Sequence, residues 1–329
     1  MTSRFSLRHE ESAVSAAQSL IELKDMEPER IRALLARAER FLDDRGRPTT
    51  PVEERDRLHG KAIALLFFEP STRTRVSFEL AAKALGAHVV RLGEEESSLT
   101  KGESLLDTCL NLEAMGIAGF VVRHASISTP HQLAERLDVP VINAGNGSGE
   151  HPTQALLDAL TLTRAMRGQG GLEGKTVAIV GDVIRSRVAR SNVYALTTLG
   201  ARVVIAGPSL MMPEHDQEGP WRLAEFASSR AEALRQADAV ILLRIQRERM
   251  RHDTIDVDDY ARRWGVDTQV MREECRPEAW LLHPGPVMHG VELSEEAASG
   301  PRSLILDQGR CGVALRQAVL CDLIERGSL

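Results

Sequence analysis

The 329-residue chain predicts an α/β protein made of two doubly wound parallel-sheet domains, with the active site expected in the cleft between them. Three observations carry this expectation. Apolar runs of strand length alternate with segments of helical periodicity along most of the sequence. Runs such as Ala62-Ile-Ala-Leu-Leu-Phe-Phe68 are apolar throughout, as strands covered on both faces are. The alternation is interrupted by Asn143-Ala-Gly-Asn-Gly-Ser-Gly149, the most glycine-rich segment, and then resumes.

From Glu27 to Leu42 apolar residues recur at helical spacing, at Ile31, Leu34, Leu35, Ala38 and Phe41. A loop over 43–51 leads to the first alternation: strand 61–68, helix 73–85, strand 87–92, helix 102–114, strand 117–122, helix 130–137 and strand 139–142. The glycine-rich stretch reads as an interdomain joint, followed by helix 152–166. The second alternation comprises strand 176–180, helix 186–199, strand 202–206, helix 229–236, strand 239–243, strand 280–282, a short strand 303–306 and a last helix 312–326. Domains are expected over 1–150 and 151–306, with a C-terminal helix of about 307–329 completing the first.

Composition narrows the function. The chain is 43% hydrophobic and 27% charged, suiting a globular protein, and its net charge of −6 argues against general nucleic-acid binding. Any anionic ligand must therefore meet a local cluster of cations. Cys109, Cys275, Cys311 and Cys321 are widely spaced and show no metal-knuckle or disulfide pattern, which fits a reducing compartment. The N-terminus lacks the apolar stretch of a signal peptide and no later run is long enough to cross a bilayer, so the cytoplasm is the expected location.

The chemistry is expected at strand ends. Ser71-Thr-Arg-Thr-Arg75-Val-Ser77, entered through Glu69-Pro70, joins a buried strand to a helix start. Helix-start amides favour an anion such as phosphate, and arginine adds a planar fork matched to its oxygens. Polar or cationic groups recur at Arg123-His124, His151-Pro-Thr-Gln154, Arg187, Arg244-Ile-Gln246 and His283-Pro-Gly-Pro286. Taken singly, such residues are commonly solvated or merely cap helices. Their recurrence at the carboxyl ends of strands, where ligands collect in such sheets, singles them out. Gly181 follows a strand, but arginines stand where a dinucleotide-binding glycine pattern would continue, so NAD is not the leading expectation.

Together these segments resemble the aspartate/ornithine carbamoyltransferase superfamily, and within it the aspartate branch. The resemblance runs in order through Phe68–Arg75, Leu99–Leu105, Val122–His124, His151–Asp158, Arg244–Arg249 and His283–Pro286. It implies carbamoyl transfer from carbamoyl phosphate to the α-amine of L-aspartate, a step of pyrimidine biosynthesis, with no metal or organic cofactor. The first domain is then the carbamoyl-phosphate-binding one and the second the aspartate-binding one.

By resemblance, Ser71, Thr72, Arg73 and Thr74 bind the phosphate. Thr74, Arg123 and His151 converge on the carbonyl oxygen, Gln154 holds the carbamoyl NH2, and backbone groups of Gly285 and Pro286 face the substrate. A positive helix end disfavours a cationic His151, which is expected to serve as a neutral hydrogen-bond donor. Arg187 and Arg244, with Gln246 and Lys101, are implied for aspartate, and Glu69 is expected to bridge Arg187 and Arg249 on domain closure. The family's loop carries Lys101 and a serine, Ser97 or Ser98, into a neighbouring subunit's site, implying a homotrimer with shared sites. Regulatory or dihydroorotase-like partner chains are left open.

Two departures stand out: Val287-Met-His-Gly290 replaces the family's usual asparagine-arginine-glycine continuation, and Asp307–Gly312 is atypical before the last helix. The alternatives are an ornithine-type carbamoyltransferase, for which a His-Cys-Leu-Pro turn is expected, and a non-catalytic member acting as a binding subunit.

Overall fold

The computed structural model describes residues 19–93, 103–214, 219–246 and 255–326. The chain forms two compact units, one of Met1–Leu23, Ala33–Thr153 and Gly309–Leu329, the other of Lys24–Arg32 and Gln154–Gln308. Helix α1 (Pro28–Glu39) is divided between them.

The first unit is built on a four-stranded parallel sheet of order β2-β1-β3-β4, with β1 Ala62–Phe67, β2 His88–Leu92, β3 Ile117–His124 and β4 Val141–Asn146. Register pairs Leu66 with Leu92 on one side and with Val122 on the other, so β1 is a central strand. Its helices are α2 (Thr72–Ala84), α3 (Leu105–Ala114) and α4 (Thr129–Ala134). Ala64, Leu66, Phe120, Val122, Leu133 and Val141 pack in one buried cluster with Cys109. The residues from Asn143 to Asn146, expected as a joint between domains, instead complete β4 within this unit. Gly147 then turns at φ +50°, where a Cβ would lie 2.3 Å from the Ala125 carbonyl oxygen, so this turn requires glycine.

The second unit carries a five-stranded parallel sheet of order β7-β6-β5-β8-β9. Its strands are β5 Thr176–Val180, β6 Arg202–Ala206, β7 Ala224–Phe226, β8 Ala239–Leu242 and β9 Trp280–Leu282. Helices α5 (Pro152–Ala165), α6 (Arg187–Thr198), α7 (Arg230–Arg235), α8 (Val257–Trp264), α9 (Thr268–Glu273) and α10 (Glu295–Ala298) follow in chain order. Sequence reading passed over β7, α8, α9 and α10. Asp256 caps α8 by accepting from Asp258 and Asp259 N–H groups, while Tyr260 and Trp264, one turn apart, supply its buried face.

The expected strand at 303–306 is not formed. Ser303 makes only an isolated bridge to Leu281, and helix α11 already begins at Ile305 and runs to Arg326. Asp307–Gly312 therefore lies inside the last helix rather than before it. Each interior glycine costs a helix about 1 kcal/mol, which the burial of Cys311, Ala314, Leu315 and Ala318 offsets. From Gly309 onward α11 belongs to the first unit. There the Arg316 guanidinium lies 4.9 Å over the Phe78 ring, and Gln317 donates to the Thr50 hydroxyl at 2.6 Å.

No helix among the described residues is long and apolar enough to cross a membrane. All four cysteines are buried and outside any disulfide, and desolvation pushes the Cys109 thiol up to about 12 and the Cys275 thiol to about 11. Phe120 is fully buried at the centre of the first sheet. Phe120→Ala is expected to lower unfolding free energy by about 3–5 kcal/mol, read from the urea midpoint of the purified chain.

Candidate active site

In the first sheet the strand order reverses between β1 and β3, because β2 lies on one side of β1 and β3 and β4 on the other. Loops leaving the carboxyl ends on either side of such a reversal diverge and leave a crevice. The segment Ser71–Thr74 leaves β1 there. Ser71 is the N-cap of α2 in extended conformation, yet its hydroxyl makes no capping hydrogen bond to its own helix. The first turn carries no acidic residue, so nothing neutralises the positive helix end from within.

Thr74 is buried, and its hydroxyl lies 3.4 Å from His151 Nε2. His151 is 3% exposed and immediately precedes Pro152, the first residue of α5, where a missing N–H costs nothing. Its position is set by its neighbour: Glu150 N–H donates to Asn146 Oδ1 at 2.7 Å and Glu150 Oε2 accepts from Leu23 N–H at 2.9 Å. Arg123 lies at the end of β3, paired in register with Phe67. Its Nη1 donates to the Ala144 carbonyl at 3.2 Å, and its Nε stands 3.7 Å from Glu69 Oε2. Ser71, Thr72, Arg73, Thr74, Arg123 and His151 thus all sit at the carboxyl ends of the adjacent strands β1, β3 and β4.

Arg73 is exposed by surface area, yet desolvation lowers its guanidinium pKa. The two agree if the head group is backed by protein on one side and open to solvent on the other. Starting from so high a value, it remains a cation at neutral pH.

The second sheet repeats the arrangement, reversing between β5 and β8. Arg187 opens α6 behind the N-cap Ser186 and is 6% exposed. Arg244 and Gln246, both half-buried, follow β8. Asp182, fully buried past β5, ties the two ends together: its Oδ1 accepts from Arg185 Nη1 and its Oδ2 from the Gln246 backbone N–H, both at 3.1 Å. After β9, His283 Nδ1 accepts from Gly285 N–H at 2.7 Å, and Glu292 Oε1 accepts from Met288 N–H at 2.7 Å while lying 3.1 Å from His283 Nε2. These bonds shape the turn containing the cis Gly285–Pro286 bond, and leave Pro286 and His289 exposed.

Gln154, in the first turn of α5, donates to Asp158. Lys101, Arg249 and the serines Ser97 and Ser98 lie outside the described residues. Asp158, Asp182, Gln308 and Glu292 carry no role in the sequence expectation. The one available signal was an acidic residue inside an apolar helical run, as in Leu156-Leu-Asp158-Ala-Leu160. Among the described residues no cluster of three or more histidine, cysteine, aspartate or glutamate side chains could hold a metal ion.

Chemically, the first cluster offers hydroxyls, helix-start amides and guanidinium groups to a phosphate and a neighbouring carbonyl. The second offers two guanidinium groups and an amide, a set suited to carboxylates. Comparison with known proteins agrees with this division. Residues 18–164 match the aspartate/ornithine carbamoyltransferase carbamoyl-P binding domain, and residues 173–323 the corresponding Asp/Orn binding domain. The aspartate carbamoyltransferase catalytic subunit of Anaeromyxobacter sp. (strain Fw109-5) is 47% identical over 82% of this chain and 84% of its own. That of Granulibacter bethesdensis is 45% identical over 94% and 95%.

Among solved structures, ornithine carbamoyltransferase from Thermus thermophilus superposes with a TM-score of 0.80 at 32% identity, covering 93% of this chain and 99% of that one. Aspartate transcarbamoylase from Trypanosoma cruzi, solved with carbamoyl aspartate and phosphate, gives 0.79 at 28% identity over 92% and 94%. With two family domains spanning nearly its whole length and close relatives of that name, the chain belongs to the aspartate/ornithine carbamoyltransferase family.

Proposed function

We propose that this chain is the catalytic chain of an aspartate carbamoyltransferase, transferring the carbamoyl group of carbamoyl phosphate to the α-amine of L-aspartate in pyrimidine biosynthesis. The observation that carries the reading is the gathering of Ser71–Thr74, Arg123 and His151 at the reversal point of the first sheet. The curated relatives at 45–48% identity support aspartate as acceptor. So do Arg187 and Arg244, which suit a second carboxylate and would repel the cationic tail of ornithine.

In the reaction the amine nitrogen bonds to the carbonyl carbon, a tetrahedral oxyanion forms, and the carbon–oxygen bond to phosphate breaks. The amine gives up one proton, for which the departing phosphate is the nearest base. Ser71, Thr72, Arg73 and Thr74 hold the phosphate. Thr74, Arg123 and His151 donate to the carbonyl oxygen as charge grows on it, and Gln154 accepts from the carbamoyl NH2. Gly285 and Pro286 offer backbone groups to the substrate, and Lys101 joins Arg187, Arg244 and Gln246 at aspartate. Preorganised donors of this kind are worth a hundred- to a thousandfold each in turnover, as an order of magnitude. Carbamoyl phosphate is already activated, so orientation and charge stabilisation suffice for this chemistry.

Glu69 stands beside Arg123 here; bridging Arg187 and Arg249 is the role we assign it once both substrates are bound. The active unit is a homotrimer in which Lys101, with Ser97 or Ser98, serves a neighbouring site. Buried free thiols fit a cytoplasmic setting. The ornithine reading draws on structural likeness to the ornithine carbamoyltransferases of Thermus thermophilus and Pyrococcus furiosus.

Phosphate release is expected with aspartate and not with ornithine; the reverse outcome would reassign the acceptor. Arg73→Ala is expected to cut kcat/KM about a hundredfold or more without changing the thermal midpoint by more than a few degrees. The bisubstrate analogue N-(phosphonacetyl)-L-aspartate should inhibit, with an inhibition constant that rises at least about tenfold in both Arg73→Ala and Arg187→Ala. An effect in only one variant would show that the two clusters do not serve one ligand pair. Mixing inactive Lys101→Ala and Arg73→Ala chains should restore about a quarter of native activity, the fraction of sites drawing both intact halves at random. No recovery would remove the shared site.

A further inference from the structure

Gln154 is tied to a buried carboxylate whose other partners leave the amide one orientation. Asp158 lies on α5 one turn after Gln154 and is fully buried. Its Oδ1 accepts from Gln154 Nε2 at 2.9 Å and from Gln308 Nε2 at 2.7 Å, while its Oδ2 accepts from Asn192 Nδ2 at 2.8 Å. A carboxylate oxygen facing an amide draws the NH2 edge toward it, because the carbonyl edge would oppose lone pair to lone pair.

Two of these three amides are fixed by evidence independent of Asp158. Gln308 Oε1 accepts from the His283 backbone N–H at 2.9 Å, and a peptide N–H can only donate, so the NH2 of Gln308 must face Asp158. Asn192 Nδ2 also donates to the Val188 carbonyl at 3.1 Å, which can only accept. Both acceptor atoms of Asp158 are thus held toward donors, and Gln154 follows suit. One N–H of its NH2 is committed to Asp158, and its carbonyl oxygen becomes the edge turned away from that carboxylate and left for a ligand.

We propose that Asp158, held by Gln308 and Asn192, is a positioning residue that makes carbamoyl phosphate the preferred donor by turning the Gln154 carbonyl oxygen, a hydrogen-bond acceptor, toward the carbamoyl nitrogen. This rests on the reading that Gln154 meets the carbamoyl nitrogen. A carbamoyl NH2 gives that oxygen a proton. The methyl of acetyl phosphate, otherwise alike in charge and shape, gives it none and strands a nearly buried carbonyl oxygen. The same network reaches the Gly285–Pro286 turn through Gln308 and His283, so donor recognition and the shape of that turn share one set of bonds.

The experiment compares kcat/KM for carbamoyl phosphate with the inhibition constant of acetyl phosphate, in the full chain. In Asp158→Asn one of the two acceptors becomes a donor. Gln308 and Asn192 each have a second bond opposing a flip, so Gln154 turns and offers its NH2 edge instead. Preference for the carbamoyl donor is expected to fall about tenfold or more, through loss of kcat/KM with carbamoyl phosphate while acetyl phosphate binds as before or better. A merely structural role would weaken both ligands in parallel and overturn the proposal.

Asn192→Ala keeps the carboxylate but removes its Oδ2 donor. It is expected to lower the preference about threefold, and serves where Asp158→Asn does not fold. Unchanged preference in either folded variant also overturns the proposal. Gln154→Met separates the two claims. If it leaves the preference intact, the assignment of Gln154 to the carbamoyl nitrogen fails. If it abolishes the preference while Asp158→Asn does not, only the role of Asp158 fails.

Discussion

A parallel sheet whose strand order reverses at its middle fixes where this chain can do chemistry. On each side of the reversal the connecting helices pass to opposite faces, and the loops above the carboxyl ends part. The chain builds that geometry twice, between β1 and β3 and again between β5 and β8. Every described site residue implied by the family resemblance sits at the carboxyl end of a strand, in the loop that follows it or in the first turn of the next helix. Buried strands such as Ile63–Leu66 and Val177–Val180 hold the loops' starting points rigid, and the loops themselves carry the polar groups.

Buried acidic groups do the fine positioning. Asp182 anchors the Gln246 backbone across two strand ends, Glu292 holds the turn after β9 through Met288 and His283, and Asp158 gathers three amides. Negative charge placed against two anionic ligands would repel them. Here the carboxylates accept hydrogen bonds from neighbouring groups and fix which edge each presents, the acceptor edge in the case of Gln154. Their net effect is orientation, because a donor aimed in advance needs no reorganisation when charge develops.

How much of this was legible in the sequence depended on distance along the chain. The central strands were plain because burial on both faces makes them uniformly apolar, and Ser71–Thr74 was plain because strand, cap and helix are contiguous. Strand β7 and helices α8 and α9 were passed over since they are short, and in α8, half of it charged, a single apolar face of Tyr260 with Trp264 leaves little periodicity. Gly309 and Gly312 disguised the start of α11, whose stability comes from packing rather than propensity. The role of Asp158 was invisible because its partner Gln308 lies 150 residues away, and local sequence carries no record of such a pairing.

Helix α11 also sets a chronology for the newborn polypeptide. Its residues from Gly309 onward seat Arg316 on Phe78, Gln317 on Thr50 and Ile324 against Gly119, all in a portion synthesised well before the helix. The first unit therefore waits for α11 to emerge before its own interior is sealed, whereas the second unit has all its strands before then. Truncation within α11 would consequently injure the unit that matches the carbamoyl-P binding domain, although the whole second sheet lies between them in the sequence.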